Sequence, residues 1–286
     1  MQRFQKVFQT PKSIIAMIHL LPLMGTPNQT HATDEILDTA LQEAERYLKA
    51  GVDALMIENM HDLPYLNREV GPEIVAQMSI IAHEIKRLSS VPCGIQILAG
   101  ANQQALAVAA AAGLAFIRAE GFVFSHIADE GQMDACAGDL LRYRRQMEAQ
   151  SILVLTDIKK KHSAHAITQD VNIVETAEAA AFFQSDGLIL TGSATGKAAN
   201  LQEIEAVKAA VELPVLVGSG VALDNLEAYL SRADALIIGS YFKVKGAWQN
   251  TVDYERCARF MESVKAWRDA HNLEISSQNL HKGLSD

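Results

Sequence analysis

Cysteine is scarce in this 286-residue chain, and its three thiols, Cys93, Cys136 and Cys257, stand at no spacing that suits a metal cluster or a redox pair. A disulfide framework is therefore excluded, and the expectation is a protein with reduced thiols in the cytoplasm. Proline is also sparse, at seven residues, and no Pro/Ser/Gly-rich or low-complexity tract divides the chain. One domain over 1–286 follows, with a core at about 13–270, a short extension before it and a mobile tail after it. Basic charge is in short supply: 25 Lys and Arg face 34 Asp and Glu, for a formal net charge of -9. Phosphate neutralisation needs a basic face, so a general nucleic-acid binder is excluded, while a small anion in a local positive pocket is not. Long apolar runs are missing as well. The first apolar stretch, from Ile14, is broken by His19 and Pro22, so neither a secretory leader nor a membrane span is expected.

What the chain does contain is a repeated short phrase. Eight apolar runs occur at Ser13–His19, Gly51–Asn59, Val91–Gly100, Gly113–Glu120, Ser151–Asp157, Asp186–Gly192, Leu213–Gly220 and Ala233–Ser240. Each is followed by a polar, Gly-containing connection and then by a helical pattern. Runs without period-two alternation suit parallel strands covered by helices on the outside. Two kinds of run alternate, one entered through Asp or Gly and Ala, the other often through Pro, which suggests quarters of two strands and two helices. A doubly wound open sheet shares this grammar. The eightfold count over this length favours a closed α/β fold, a single (β/α)8 TIM barrel.

In such a barrel the chemistry sits where the strands end. The strand-end residues include His19, Glu58 with Asn59, Arg118 and Glu120, Asp157 with Lys159, Thr191 with Gly192 and Ser193, and Ser240. Proton transfer would fall to a carboxylate pair such as Glu58 and Asp157, or to His19, with Lys159 polarising a carbonyl. Glu58, Glu120 or Asp157 could also serve a divalent metal, although no spacing specifies one, and no cofactor is implied. Each residue has a plainer reading too. His19 could be a satisfied core histidine, Arg118 and Glu120 a structural ion pair at i and i+2, and Lys159 to Lys161 a solvated charge run.

The last quarter is more specific. Gly218, Ser219 and Gly220 end the seventh run, and Gly239 and Ser240 end the eighth. Backbone N–H groups at such turns converge on an anion, and glycine lets the backbone approach phosphate oxygens closely. By contrast, Gly192–Ala198 (GSATGKA) only imitates a P-loop. It has three residues between its glycines instead of four, and Ala198 where Ser or Thr should bind magnesium, which argues against a nucleotide hydrolase. The loop more plainly reads as a flap carrying Lys197. Tyr241, Phe242 and Trp248 form an aromatic loop suited to covering a ligand or packing on a neighbouring subunit.

The segments IAMIHLLPLMGTP (Ile15–Pro27), GVDALMIENMHDLPY (Gly51–Tyr65), RAEGFV (Arg118–Val123), TDIKKKHS (Thr156–Ser163), VLVGSGV (Val215–Val221) and ADALIIGSYFK (Ala233–Lys243) resemble the BtpA family, which includes the SgcQ proteins. The resemblance implies a TIM barrel of the ribulose-phosphate-binding type. It places His19, Glu58, Asn59, Arg118, Glu120, Asp157, Lys159, Lys161 and His162 on the family's motif segments. Members are named for photosystem I biogenesis, while others sit in sugar-handling contexts. Two functions are thus in view. One is an enzyme acting on a small phosphorylated sugar or related metabolite as an isomerase, epimerase or aldolase. The other is a non-catalytic biogenesis or stability factor. A homo-oligomer is the default expectation for either.

Overall fold

The computed structural model describes residues 1–160, 162–192 and 198–282, with the side chains of 272–282 left aside. Eight parallel strands close a barrel: β1 (Ser13–His19), β2 (Ala54–Glu58), β3 (Cys93–Gln96), β4 (Phe116–Ala119), β5 (Leu153–Asp157), β6 (Gly187–Leu190), β7 (Val215–Gly218) and β8 (Ala235–Ile238). Closure runs through β1 and β8, from Ser13 opposite Ala235 to Ala16 opposite Ile238, so the open-sheet alternative falls. Helices follow the strands in turn: α1 (Thr33–Ala50), α2 (Pro72–Leu88), α3 (Asn102–Ala112), α4 (Ala137–Gln146), α5 (Ile173–Phe182), α6 (Leu201–Ala210), α7 (Leu226–Leu230) and α8 (Tyr254–Lys282). The tail expected to be mobile after about residue 270 is helical backbone as far as Lys282, and 283–286 lie outside the described residues.

Alternation along each strand builds two cores. Ile14, Ala16 and Ile18 face outward to the helix layer, where α1 presents Ile36, Ala40, Ala44 and Tyr47 at helical spacing. Ile15, Met17, Met56, Phe116, Leu155, Ile189, Leu216 and Ile237 face inward and fill the barrel. At the bottom, the N-terminal helix Gln2–Val7 supplies the plug. Phe4 and Phe8 pack with ring centroids 4.5 Å apart, and Phe8 lies 5.2 Å from Phe116. The Phe116 ring fits because Gly94 on β3 has no side chain: a Cβ there would lie 2.2 Å from Phe116 Cε2.

The alternating strand starts also have a physical cause. Asp53, Asp186 and Asp234 precede the even strands β2, β6 and β8. Each accepts a hydrogen bond from the backbone N–H of a residue on the preceding strand, Ile14, Val154 and Val215, at 2.8, 2.9 and 2.8 Å. Each is also paired with a cation, Arg268, Arg144 and Lys208 respectively. The second quarter, β3 with β4, has Ala115 at this position and lacks the staple.

One element was not foreseen. After β4 the chain forms a hairpin, His126–Ala128 with Gly131–Met133, to which Ser163–Ala164 adds a third antiparallel strand. Asn67 Nδ2 donates to the carbonyls of Glu130 and Gln132 at 3.2 and 2.8 Å, tying this small sheet to the loop after β2. The hairpin turn brings Asp129 and Glu130 over the C-terminal mouth of the barrel.

Candidate active site

Inward parity places a residue from seven of the eight strand ends in a top layer: His19, Glu58, Gln96, Arg118 and Asp157 from β1 to β5, then Gly218 and Gly239 at β7 and β8. Large polar groups thus crowd one side and glycines leave the other open. A cavity of about 440 Å³ occupies that mouth, lined by His19, Glu58, Gln96, Arg118, Glu120, Lys160, Gly218–Gly220 and Gly239–Tyr241 among others.

The charged groups are paired. His19 Nε2 lies 3.6 Å from Glu58 Oε2, and its Nδ1 is 3.2 Å from the Trp248 carbonyl. Arg118 binds Asp157 through two hydrogen bonds of 2.7 Å, with both side chains buried. Burial opposes the guanidinium charge, but Asp157, with Glu58 and Glu120 nearby, outweighs it and holds Arg118 above its ordinary pKa. Glu120 is buried beneath the hairpin. Gln96 Nε2 donates to its Oε1 at 3.1 Å, and Lys160 Nζ lies 3.1 Å from its Oε2. Burial raises the Glu120 pKa although Lys160 pulls it down. Lys160 is raised in turn, since Glu120 and Glu130 outweigh its desolvation. A carboxyl shifted upward beside a cation is suited to hold and release a proton in the cavity.

Several expected residues do not meet the cavity. Asp157 is held by Arg118, so the Glu58–Asp157 carboxylate pair is not assembled; its partner groups are Glu58 with His19 and Glu120 with Lys160. Arg118 and Glu120 do not form the ion pair that their i, i+2 spacing suggested, because each finds a cross-strand or loop partner. Asn59 is structural: its Oδ1 accepts from Leu98 N at 2.7 Å and its Nδ2 donates to Asp62 at 2.8 Å. Lys159 turns away at φ 48° and donates to the carbonyls of Thr168 and Val171, beside a much smaller cavity that Asp157 also lines. Lys160 takes its place. Thr191 and Gly192 are not among the residues lining the main cavity, and Thr191 Oγ1 is buried with no hydrogen-bond partner. Lys161, Ser193 and Lys197 lie outside the described residues. His162 does line the cavity.

The two glycine turns, after β7 and β8, line the cavity. Ser219, at φ 115°, and Gly220, at φ 69°, follow Gly218. A serine in that region is strained, a feature that clusters at ligand sites. Asn225 fixes the turn by donating to the Gly220 carbonyl at 2.9 Å and accepting from Ala222 N at 2.8 Å. At the second turn a Cβ on Gly239 would lie 3.3 Å from His19 Nε2, so glycine lets the histidine stand against the backbone. Lys243, three residues past Ser240, is anchored by Glu43 of α1 at 2.6 and 2.7 Å, a fully buried pair. Tyr241 and Trp248 line the cavity, while Phe242 is in the core. Arg256 of α8 also lines it, with its guanidinium carbon 4.5 Å from the Tyr241 ring centroid. Sequence reasoning missed this cation, since nothing local distinguishes it from other helical arginines. Among the described residues, no group of three or more His, Cys, Asp or Glu is arranged to hold a metal ion, and no helix is long and apolar enough to cross a membrane.

Residues 10–266 match the BtpA family. The chain belongs to this family. A mitochondrial protein of Caenorhabditis elegans, described as uncharacterised, is 48% identical over 256 residues, which cover 88% of this chain and 92% of the relative. The photosystem I biogenesis protein BtpA of Synechocystis is 33% identical over 267 residues, covering 92% and 91% respectively. Among solved structures, thiamine phosphate pyrophosphorylase from Pyrococcus furiosus superposes with a TM-score of 0.56 over 90% of this chain and 96% of its own, at 13% identity. At that identity the likeness concerns the barrel alone. The BtpA-family chain is thus a closed parallel (β/α)8 barrel with a polar cavity at the strand ends.

Proposed function

We propose that this BtpA-family barrel is an enzyme that binds a small phosphate ester and moves protons on it, as an isomerase, epimerase or aldolase does. The reading includes the ribulose-phosphate-binding type of barrel. The observation that carries it is one cavity with two buried proton-carrying pairs, His19–Glu58 and Glu120–Lys160, facing the turns at Gly218–Gly220 and Gly239–Ser240. Buried ionisable groups are costly to maintain, and a reaction needing an acid and a base around one carbon gives them a use. The phosphate would rest on the two turns, with Arg256 beside them.

A thermal-shift screen against phosphorylated sugars and inorganic phosphate tests the binding, because a ligand selective for the folded state raises the melting temperature. A stabilising sugar phosphate that loses its effect in Ser240→Glu supports the reading. No shift with any member of the panel counts against it. Once turnover is found, Glu58→Gln and Glu120→Gln should each slow it at least about a hundredfold.

The name of the Synechocystis relative favours a second reading, in which the barrel assists assembly of a protein complex without turnover. Recovery of a stoichiometric complex with one protein from the native host, unchanged when the cavity is altered by Ser240→Glu, would support that reading instead.

A further inference from the structure

The cavity is divided by polarity. At one pole lie the turns at Gly218–Gly220 and Gly239–Ser240, with Arg256 beside the second, its Nε donating to the Tyr241 carbonyl at 2.7 Å. At the other, Gln96, Glu120 and Glu130 stand together, and the cation among them, Lys160, is already 3.1 Å from Glu120. Arg118 is likewise committed to Asp157 by two hydrogen bonds. Among the described residues, this second pole is therefore a set of acceptors whose cation, Lys160, is already engaged.

Besides Glu120 Oε2, which faces Lys160 Nζ, two of its oxygens lack a hydrogen bond. Gln96 is 2% exposed, and its Nε2 donates to Glu120 Oε1, which turns Oε1 away from that partner; Gln96 Oε1 is buried with no hydrogen bond. Glu130 Oε2 is also buried without one, and Lys160 Nζ stands 4.0 Å from it. Buried acceptors without partners are uncommon and unfavourable, and a donor-bearing group entering the cavity would relieve both. A second anion in the same place would meet the carboxylates of Glu120 and Glu130 and be repelled.

We infer that the ligand is bipolar: a phosphate monoester whose far end carries hydroxyl donors, as in a sugar phosphate, and no second anionic group. Gln96 and Glu130 are the residues that set this preference. The inference rests on the phosphate reading above and narrows it, since a phosphorylated carboxylic acid or a diphosphate is turned away at the acceptor pole.

The test is calorimetric titration of the full chain with ribose 5-phosphate, 3-phosphoglycerate and inorganic phosphate. Ribose 5-phosphate should bind at least about tenfold more tightly than 3-phosphoglycerate, the size expected when one or two buried hydrogen bonds separate the ligands. Gln96→Leu should bring ribose 5-phosphate down to the affinity of inorganic phosphate while leaving phosphate itself unchanged. Glu130→Gln, on the hairpin turn, should narrow the ratio by strengthening 3-phosphoglycerate, and it decides the matter if Gln96→Leu does not fold. Equal binding of the two esters, or a ratio unmoved in the Glu130 variant, overturns the inference and leaves phosphate binding intact. If none of the three compounds binds, the phosphate reading fails and the inference falls with it.

Discussion

Replacing Asp157 by Asn should unfold this barrel more readily, and not merely disturb its chemistry. Asp157 and Arg118 are 1% and 8% exposed at the side chain and share two hydrogen bonds of 2.7 Å. Removing the carboxylate charge leaves a guanidinium in the barrel with an amide against it, a loss of about 3–5 kcal/mol for buried pairs. Glu58 and Glu120 also act on Arg118 and soften the loss, so the lower end, about 3 kcal/mol, is expected. For a domain of this size the melting temperature should fall by roughly 6–12 °C. Urea unfolding followed by circular dichroism measures the change, and the m-value should stay constant. Because burying any ion pair costs solvation, Arg118→Met with Asp157→Leu should recover most of the stability that the single change removes. A loss below about 1 kcal/mol in Asp157→Asn, or a double variant less stable than the single one, would refute this reasoning.

Three further outcomes are expected. Gly94→Ala forces a Cβ into the Phe116 ring and should cost about 2–4 kcal/mol; Phe116→Leu in the same chain should restore part of it, as unfolding of the single and double variants would report. His126 is held down to about 4 from an ordinary 6.5 by burial first, with Lys160 and His165 adding to it. Its contribution to stability is therefore complete above pH 6.5 and falls away toward pH 4. Glu43 and Glu120, both raised by burial, act with the opposite sign, so the comparison of wild type with His126→Gln isolates the effect, on the order of 1 kcal/mol after solvent screening. Arg256→Leu should weaken inorganic phosphate binding about tenfold in calorimetry, since the guanidinium lines the cavity beside the second turn.

The barrel was legible because burial on both faces makes each strand a continuous apolar run, and because Asp53, Asp186 and Asp234 mark three of the even strands chemically. Parity then placed His19, Glu58 and Arg118 at the mouth. The loops were less legible, since a single backbone torsion decides which side chain enters. The left-handed turn at Lys159 sends that residue outward and Lys160 inward, a choice that three consecutive lysines do not reveal. Asn59 and Asp157 carry side chains that suit chemistry equally well, yet the partners that hold them, Leu98 and Arg118, each lie 39 residues away in sequence. The hairpin at His126–Met133 has strands of three residues, too short for alternation to show, and Arg256 reaches the site only through the packing of α8.

The most direct test of the account is a crystal structure of the chain grown with a sugar phosphate that stabilises it. The account predicts the phosphorus between the turns at Gly218–Gly220 and Gly239–Ser240, near Arg256, with the hydroxyl end toward Gln96 and Glu130. A phosphate bound among Glu58, Glu120 and Lys160, or at a site outside this cavity, would contradict it.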